Sequence, residues 1–177
     1  MTAFIIIVAL LGAFLAYVAT RPNVFVVTRS GHIRVSPENV FPLINDFHNW
    51  TRWSPWEHKD PNLKRTYSGA SAGVGAHYAW AGDKNVGEGS MTITESVPSS
   101  RIKLDLNFLK PFKADNLTVF TFTPENGGTR VDWRMEGPVP FVFKIMHLVF
   151  NMDKMVGTDF EKGLAEMKRV AEASGSA

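Results

Sequence analysis

Apolar residues recur along this chain with two different periods, and the order in which the periods follow one another predicts its architecture. The clearest period of two lies at Ile102, Leu104, Leu106 and Phe108, separated by Lys103, Asp105 and Asn107. In a strand such alternation puts one face on a core and the other in water. The clearest helical period runs from Met152 to Ala173, where Val156, Phe160, Leu164, Met167 and Ala171 are spaced by four, four, three and four. That spacing is one apolar stripe on a helix of about six turns. Asn151 suits its N-cap, Asp153 its positive end, Lys168 and Arg169 its negative end, and Gly175 lies just beyond. Gly157 and Gly163 interrupt the helix, each at a cost of about 1 kcal/mol relative to alanine. They mark either a close approach to the backbone or simply tight packing of the helix on strands.

The remaining elements fit around these two. Phe25 to Val35 reads as a strand, and Ser36-Pro37-Glu38 follows as N-cap, first helical residue and helix-compatible acid. A short helix then carries Val40, Phe41 and Ile44, and Trp50, Trp53 and Trp56 crowd the stretch after it. Those tryptophans wedge a helical corner against the sheet or touch a ligand. From Lys64 to Trp133 the pattern is a meander. Strands centre on Thr66 to Ser68, His77 to Ala81, Met91 and Ile93, Ile102 to Phe108, Leu117 to Thr123, and Arg130 to Met135. Glu125-Asn126-Gly127-Gly128 is a hairpin signal. These strands form a curved antiparallel sheet. Phe141 to Phe150 is a ten-position segment apolar almost all round, more apolar surface than one packed face hides.

Residues 1 to 20 carry no charged side chain. At 1.5 Å per residue the run from Thr2 to Thr20 reaches about 28 Å, against a hydrocarbon core of about 30 Å. A retained membrane-spanning anchor is the direct reading, which divides the chain into an anchor at 1–21 and a folded domain at 22–177. A cleaved signal peptide is the alternative, with a small-residue site at Ala16 to Ala19. No basic residue precedes the run, which argues against cleavage. Arg21, Arg29 and Arg34 follow it, a bias toward a cytoplasmic domain, although the side remains open.

Composition narrows the chemistry. The 19 basic and 17 acidic residues are spread without a basic block, so no nucleic-acid surface is indicated. With no cysteine, thiolate nucleophiles, cysteine metal sites and disulfides are excluded. His32, His48, His58, His77 and His147 show no helical i, i+4 pair, so no metal site is expected. Neither a G-x-S-x-G turn nor a phosphate loop is present. His77, Glu88, Arg134 and Glu136 are the available acid/base groups, and they read as solvated.

Several segments together resemble a known family: Ser36 to Ile44 (SPENVFPLI), Trp50, Trp53-Ser54-Pro55-Trp56, Met135-Glu136-Gly137, Asn151-Met152-Asp153-Lys154 and Asp159 to Leu164. Over residues 24 to 172 they are similar to the polyketide cyclase/dehydrase and lipid-transport branch of the START-like, helix-grip superfamily (SRPBCC). The resemblance implies an α+β fold in which a curved antiparallel sheet grips the long C-terminal helix around an apolar cavity. The expected lining is Tyr78, Trp80, Met91, Ile93, Leu104, Leu106, Trp133, Met135, Phe160, Gly163, Leu164 and Met167. The partner expected is a lipid or other hydrophobic small molecule at a membrane, without a cofactor. Three functions remain open: a carrier, a cyclase or dehydratase, and an interaction module whose cavity is filled. An unbroken apolar lining favours the first, a buried hydrogen-bonded polar cluster the second, and the lack of a void the third.

Overall fold

The computed structural model describes residues 1–149 and 151–174. Its strands are β1 (Val24–Ile33), β2 (Lys64–Gly69), β3 (Ala76–Ala81), β4 (Glu88–Val97), β5 (Arg101–Lys110), β6 (Ala114–Glu125) and β7 (Gly128–Pro138). They form one antiparallel sheet in the order β1-β7-β6-β5-β4-β3-β2. Strands β2 to β7 are therefore a continuous meander, and β1 closes on the last of them. The tight β6–β7 turn has both Asn126 and Gly127 at positive φ, as a two-residue hairpin of the primed type requires.

Between β1 and β2 lie two single-turn helices, α2 (Pro37–Val40) and α3 (Pro42–Asn45), and two 3₁₀ turns at Phe47–Arg52 and Pro55–His58. The tryptophans anchor this corner. Trp50 and Trp53 donate their indole N–H groups to the carbonyls of Ile44 (3.0 Å) and Leu43 (2.8 Å). Trp53 is fully buried, edge-on to Phe120 and Trp133.

Helix α5 (Met152–Ser174) lies across the inner face of the sheet. Asn151 caps it, its Oδ1 accepting from the Lys154 N–H at 2.9 Å. Buried along it are Gly157, Phe160, Gly163, Leu164, Met167, Val170 and Ala171. The two glycines have different neighbours. A Cβ at Gly157 would collide with the Arg29 guanidinium, and one at Gly163 would lie 2.8 Å from the Trp133 ring and 3.2 Å from Pro55. Arg29 thus lies across the helix at Gly157, bonded to Asp153 (3.0 Å) on one side and Glu161 (2.7 Å) on the other.

Helix α1 (Thr2–Ala19) is long and apolar enough to cross a membrane and is exposed over nearly its whole length. Helix α4 (Phe141–Val149) joins the sheet to α5. Phe150 and Gly175, expected at the end of the short helix and beyond the long one, lie outside the described residues, as do the side chains of His147 and Val149.

Candidate functional site

Strand register determines which side chains meet across the inner face. Tyr78 of β3 is opposite Met91 of β4, Met91 opposite Leu106, and Leu106 opposite Asn116 of β6. One step along, Leu104 is opposite Thr118 and Thr118 opposite Met135. Beneath these rows the sheet and the first half of α5 stand apart and enclose a cavity of about 700 Å³. Its inner end is closed by Trp133, whose ring stacks on Phe160 with centroids 4.0 Å apart and planes within 9°. Trp56 meets both rings edge-on.

The residues expected to line this space divide along α5. Tyr78, Trp80, Met91, Leu104, Leu106, Trp133, Met135 and Phe160 do line it. Ile93, Gly163, Leu164 and Met167 do not, and the expected lining is corrected there. Leu164 packs on Gly31 of β1, with 3.4 Å from its Cβ to the position a Gly31 Cβ would take, while Ile93 and Met167 are almost fully buried. At Gly163 the bare backbone admits Trp133, so helix and sheet meet and the void ends. Besides Phe160, the helix contributes Met152, Met155, Val156 and Asp159, all N-terminal to the expected Gly163, Leu164 and Met167.

Polar groups interrupt the carbon lining in two places. Glu57, in the second 3₁₀ turn, is buried on the cavity wall. One of its carboxylate oxygens accepts from the Tyr78 hydroxyl at 2.6 Å and the other from Arg65 Nε at 2.5 Å. Burial, and then the bond to Glu57, pushes the Tyr78 phenol well above its ordinary range, so it stays protonated and donates. Arg65's own hydrogen bond to Glu57 pushes its guanidinium up. The second place is on β6 and β7, where Asn116 Oδ1, Thr118 Oγ1 and Trp133 Nε1 are buried and have no hydrogen-bond partner. All three residues line the cavity.

Sequence reading passed over Glu57, Asn116 and Thr118. Glu57 carried one signal, an acid directly after three tryptophans. Asn116 and Thr118 occupy the same alternating phase as buried Phe120 and Phe122, but Leu117 and Val119 on the opposite face disguise it. The acid/base groups noted from sequence lie elsewhere. Glu88 pairs with Lys110 at 2.8 Å, Arg134 pairs with Glu136 on the sheet's outer face, and His77 meets Thr92 Oγ1 at 2.9 Å.

The outer end of the cavity reaches the surface among exposed residues. Phe112, from the β5–β6 loop, meets Phe143 of α4 edge-on with centroids 5.5 Å apart, and both line the cavity. Met155 lies on the same rim, and Lys59, bonded to Asp159 at 2.6 Å, bridges the corner to α5. On its other side α4 exposes Phe141, Val142, Met146 and Leu148. The tryptophans make their ring contacts with Phe47, Phe120, Trp133 and Phe160, so they leave α4 uncovered. Buried Lys144 donates to the Ala19 carbonyl at 3.4 Å, tying α4 to the last turn of α1.

The family model for polyketide cyclase / dehydrase and lipid transport matches residues 24–172. The chain belongs to this family. No curated protein sequence matches it. Among solved structures it is similar to protein CV1439 from Chromobacterium violaceum, at 18% identity and a TM-score of 0.59, with 86% of this chain and 99% of that one covered. It is also similar to MLL2253 from Mesorhizobium loti, at 18% identity and a TM-score of 0.58, with 82% and 98% covered. DynU16, from the dynemicin biosynthetic locus, shares 13% identity at a TM-score of 0.59 over 87% of this chain and 49% of its own. At these identities the likeness is one of fold. The family's fold is one that binds hydrophobic ligands, and the cavity under β3 to β7 is where this member has room for one.

Proposed function

We propose that residues 1–21 anchor the protein in a membrane and that residues 22–177 bind and pass on a lipid-like hydrophobic molecule. The observation that carries this reading is the cavity of about 700 Å³ with a mouth built from α4, the helix tied to the end of α1. A volume in this range suits a small-molecule ligand, and such a void argues against an interaction module with a filled interior. Affinity then comes from burying apolar surface, at about 25 cal/mol per Å², with no reactive group required.

The buried Glu57–Tyr78–Arg65 cluster favours a second reading, that of a cyclase or dehydratase. A general base works from a carboxylate oxygen that faces the substrate and is not already engaged by a charged partner or a strong donor. Here both Glu57 oxygens are already bonded and Tyr78 holds its proton tightly, so the cluster reads better as a clip fastening the 3₁₀ corner to β2 and β3. Mass spectrometry of molecules that co-purify with the detergent-extracted full chain tests the carrier reading. A single class of hydrophobic molecule retained in stoichiometric amount is the expected result, and its absence from every preparation would count against a carrier. Conversion of a retained molecule that stops in Glu57→Gln, with binding intact, would establish the enzyme instead.

A further inference from the structure

The orphaned groups of the cavity wall are arranged in space and matched in chemistry. Asn116 and Thr118 are two residues apart on one face of β6, about 7 Å along the strand. Trp133 is on β7 opposite Phe120, diagonal to Thr118 and again about 7 Å away. All three side chains are more than nine-tenths buried. Gly137, opposite this end of β6, makes room for the amide, because a Cβ there would collide with Asn116 Oδ1. The wall therefore offers three unsatisfied hydrogen-bonding positions at regular intervals along one edge of an otherwise carbon-lined space.

We propose that this row selects a neutral, mostly hydrocarbon ligand carrying hydroxyl groups, an alcohol in preference to a hydrocarbon or a fatty-acid anion. The proposal rests on the carrier reading and specifies its ligand. An indole N–H only donates, an amide oxygen only accepts, and a threonine hydroxyl does either. A ligand hydroxyl also does both, so it can satisfy any member of the row. A pure hydrocarbon would leave all three buried and unpaired. A carboxylate meets a different obstacle. Among the described residues the cationic side chains that line the cavity are Lys59 and Lys113, both at the rim, and Lys59 is already bonded to Asp159. The carboxylate on the interior wall, Glu57, is matched by Arg65, which leaves no interior cation for a second negative charge. Turning the Asn116 amide over exchanges acceptor for donor without supplying that charge.

The test uses the full chain in lipid nanodiscs and three probes that differ in one terminal group: hexadecan-1-ol, hexadecane and hexadecanoate. Native mass spectrometry at equal load reads the occupancy of each. The wild type should retain the alcohol about tenfold over the other two, the ratio expected from one additional buried hydrogen bond. In the Thr118→Val, Asn116→Leu double variant, where the Trp133 N–H is the one remaining member of the row, the alcohol should lose most of its advantage over the hydrocarbon while the hydrocarbon holds or rises. Gly137→Ala, which displaces the amide without removing it, should give an intermediate loss. Equal retention of all three probes by the wild type overturns the selectivity and leaves the carrier reading standing. So does a double variant that keeps its alcohol preference, or a carboxylate held as firmly as the alcohol. Binding of none of the three overturns the carrier reading and the selectivity together.

Discussion

A buried hydrogen-bonding atom without a partner costs about 1–3 kcal/mol, and this cavity wall holds three of them. Evolution could have replaced Thr118 by valine at the same volume, so the hydroxyl is a sacrifice of stability at a place where stability was available. Thr118→Val should therefore raise the melting temperature of the ligand-stripped protein. At about 1 kcal/mol the gain is about 2–4 °C for a chain of this length. Calorimetry on delipidated protein checks it, and a lower melting temperature would mean that the hydroxyl is paired within the ligand-free fold. Single polar residues of this kind are the hardest part of a site to read from sequence. Their meaning depends on strand phase, and the outward Leu117 and Val119 blur the phase of β6, whereas lysine and aspartate sharpen that of β5. Glu57 was obscured differently: a 3₁₀ turn has no apolar period to show which of its side chains points inward.

Helix α5 shows how a regular pattern can be read correctly and still mislocate a site. Its stripe was legible because an amphipathic helix repeats every 3.6 residues over many turns, and Phe160, Leu164, Met167 and Ala171 are all buried. The helix nevertheless packs directly on the sheet from Gly163 onward and stands away from it before Phe160. That divergence is set by Trp133 and by Arg29, neither of which belongs to the helix. Leu164→Asp should destabilise the fold by several kcal/mol, since it places an unpaired carboxylate against β1. Glu166→Ala, which removes only a surface pair with Arg169, should change little. Equal losses in thermal melts would show the helix to be rotated. The two glycines should also differ. Alanine brings the same gain in helix propensity at each, but at Gly157 it meets the far end of the long Arg29 side chain, which can swing aside by loosening its pairs with Asp153 and Glu161, and at Gly163 a ring held by Phe160 and Trp53. Gly163→Ala should consequently be the more damaging in the same melts, and a larger loss at Gly157 would contradict this packing. The grip is also sensitive to acid. Hydrogen bonding to Arg29 pulls the Asp153 carboxyl below its ordinary range, and the backbone N–H and guanidinium of Arg34 do the same for Glu172. A folded-state pKa below the unfolded one adds stability that is complete above the ordinary carboxylate range and disappears as pH falls through the depressed value. Melting temperature should therefore drop below about pH 4, and Arg29→Met should flatten that acid limb. An unchanged slope would mean that the Arg29 pairs are not formed in solution.

At the scale of the whole molecule, the order of elements and the quoted motifs were sufficient for the fold, because a meander followed by one long amphipathic helix has few ways to bury both apolar faces. The cavity was not legible in the same way. A void is a property of what side chains fail to fill, and Tyr78, Met91 or Leu106 would look the same in sequence if they met side chains of α5. What the structure adds is a direction. Helix α1 ends at Ala19, Lys144 ties that end to α4, and α4 carries Phe143 into the mouth while Phe141, Val142 and Met146 remain exposed beside it. If α1 spans a bilayer, the mouth is held close to the membrane surface, where exposed aromatic and aliphatic groups partition into the interface. A lipid could then enter between Phe112 and Phe143 without crossing water. In the full chain reconstituted in vesicles containing a self-quenched fluorescent lipid, uptake of that lipid into the cavity relieves the quenching. Phe112→Ser with Phe143→Ser should slow uptake several-fold, because the rim loses its apolar contact with the acyl region, while the melting temperature stays near that of the parent since both rings lie at the surface end of the cavity. Phe141→Ser, on the outer side of α4, should weaken uptake less, because that ring does not line the passage. Uptake that is unchanged in the double variant would move the entrance away from α4 altogether, toward the corner where Lys59 bridges to Asp159.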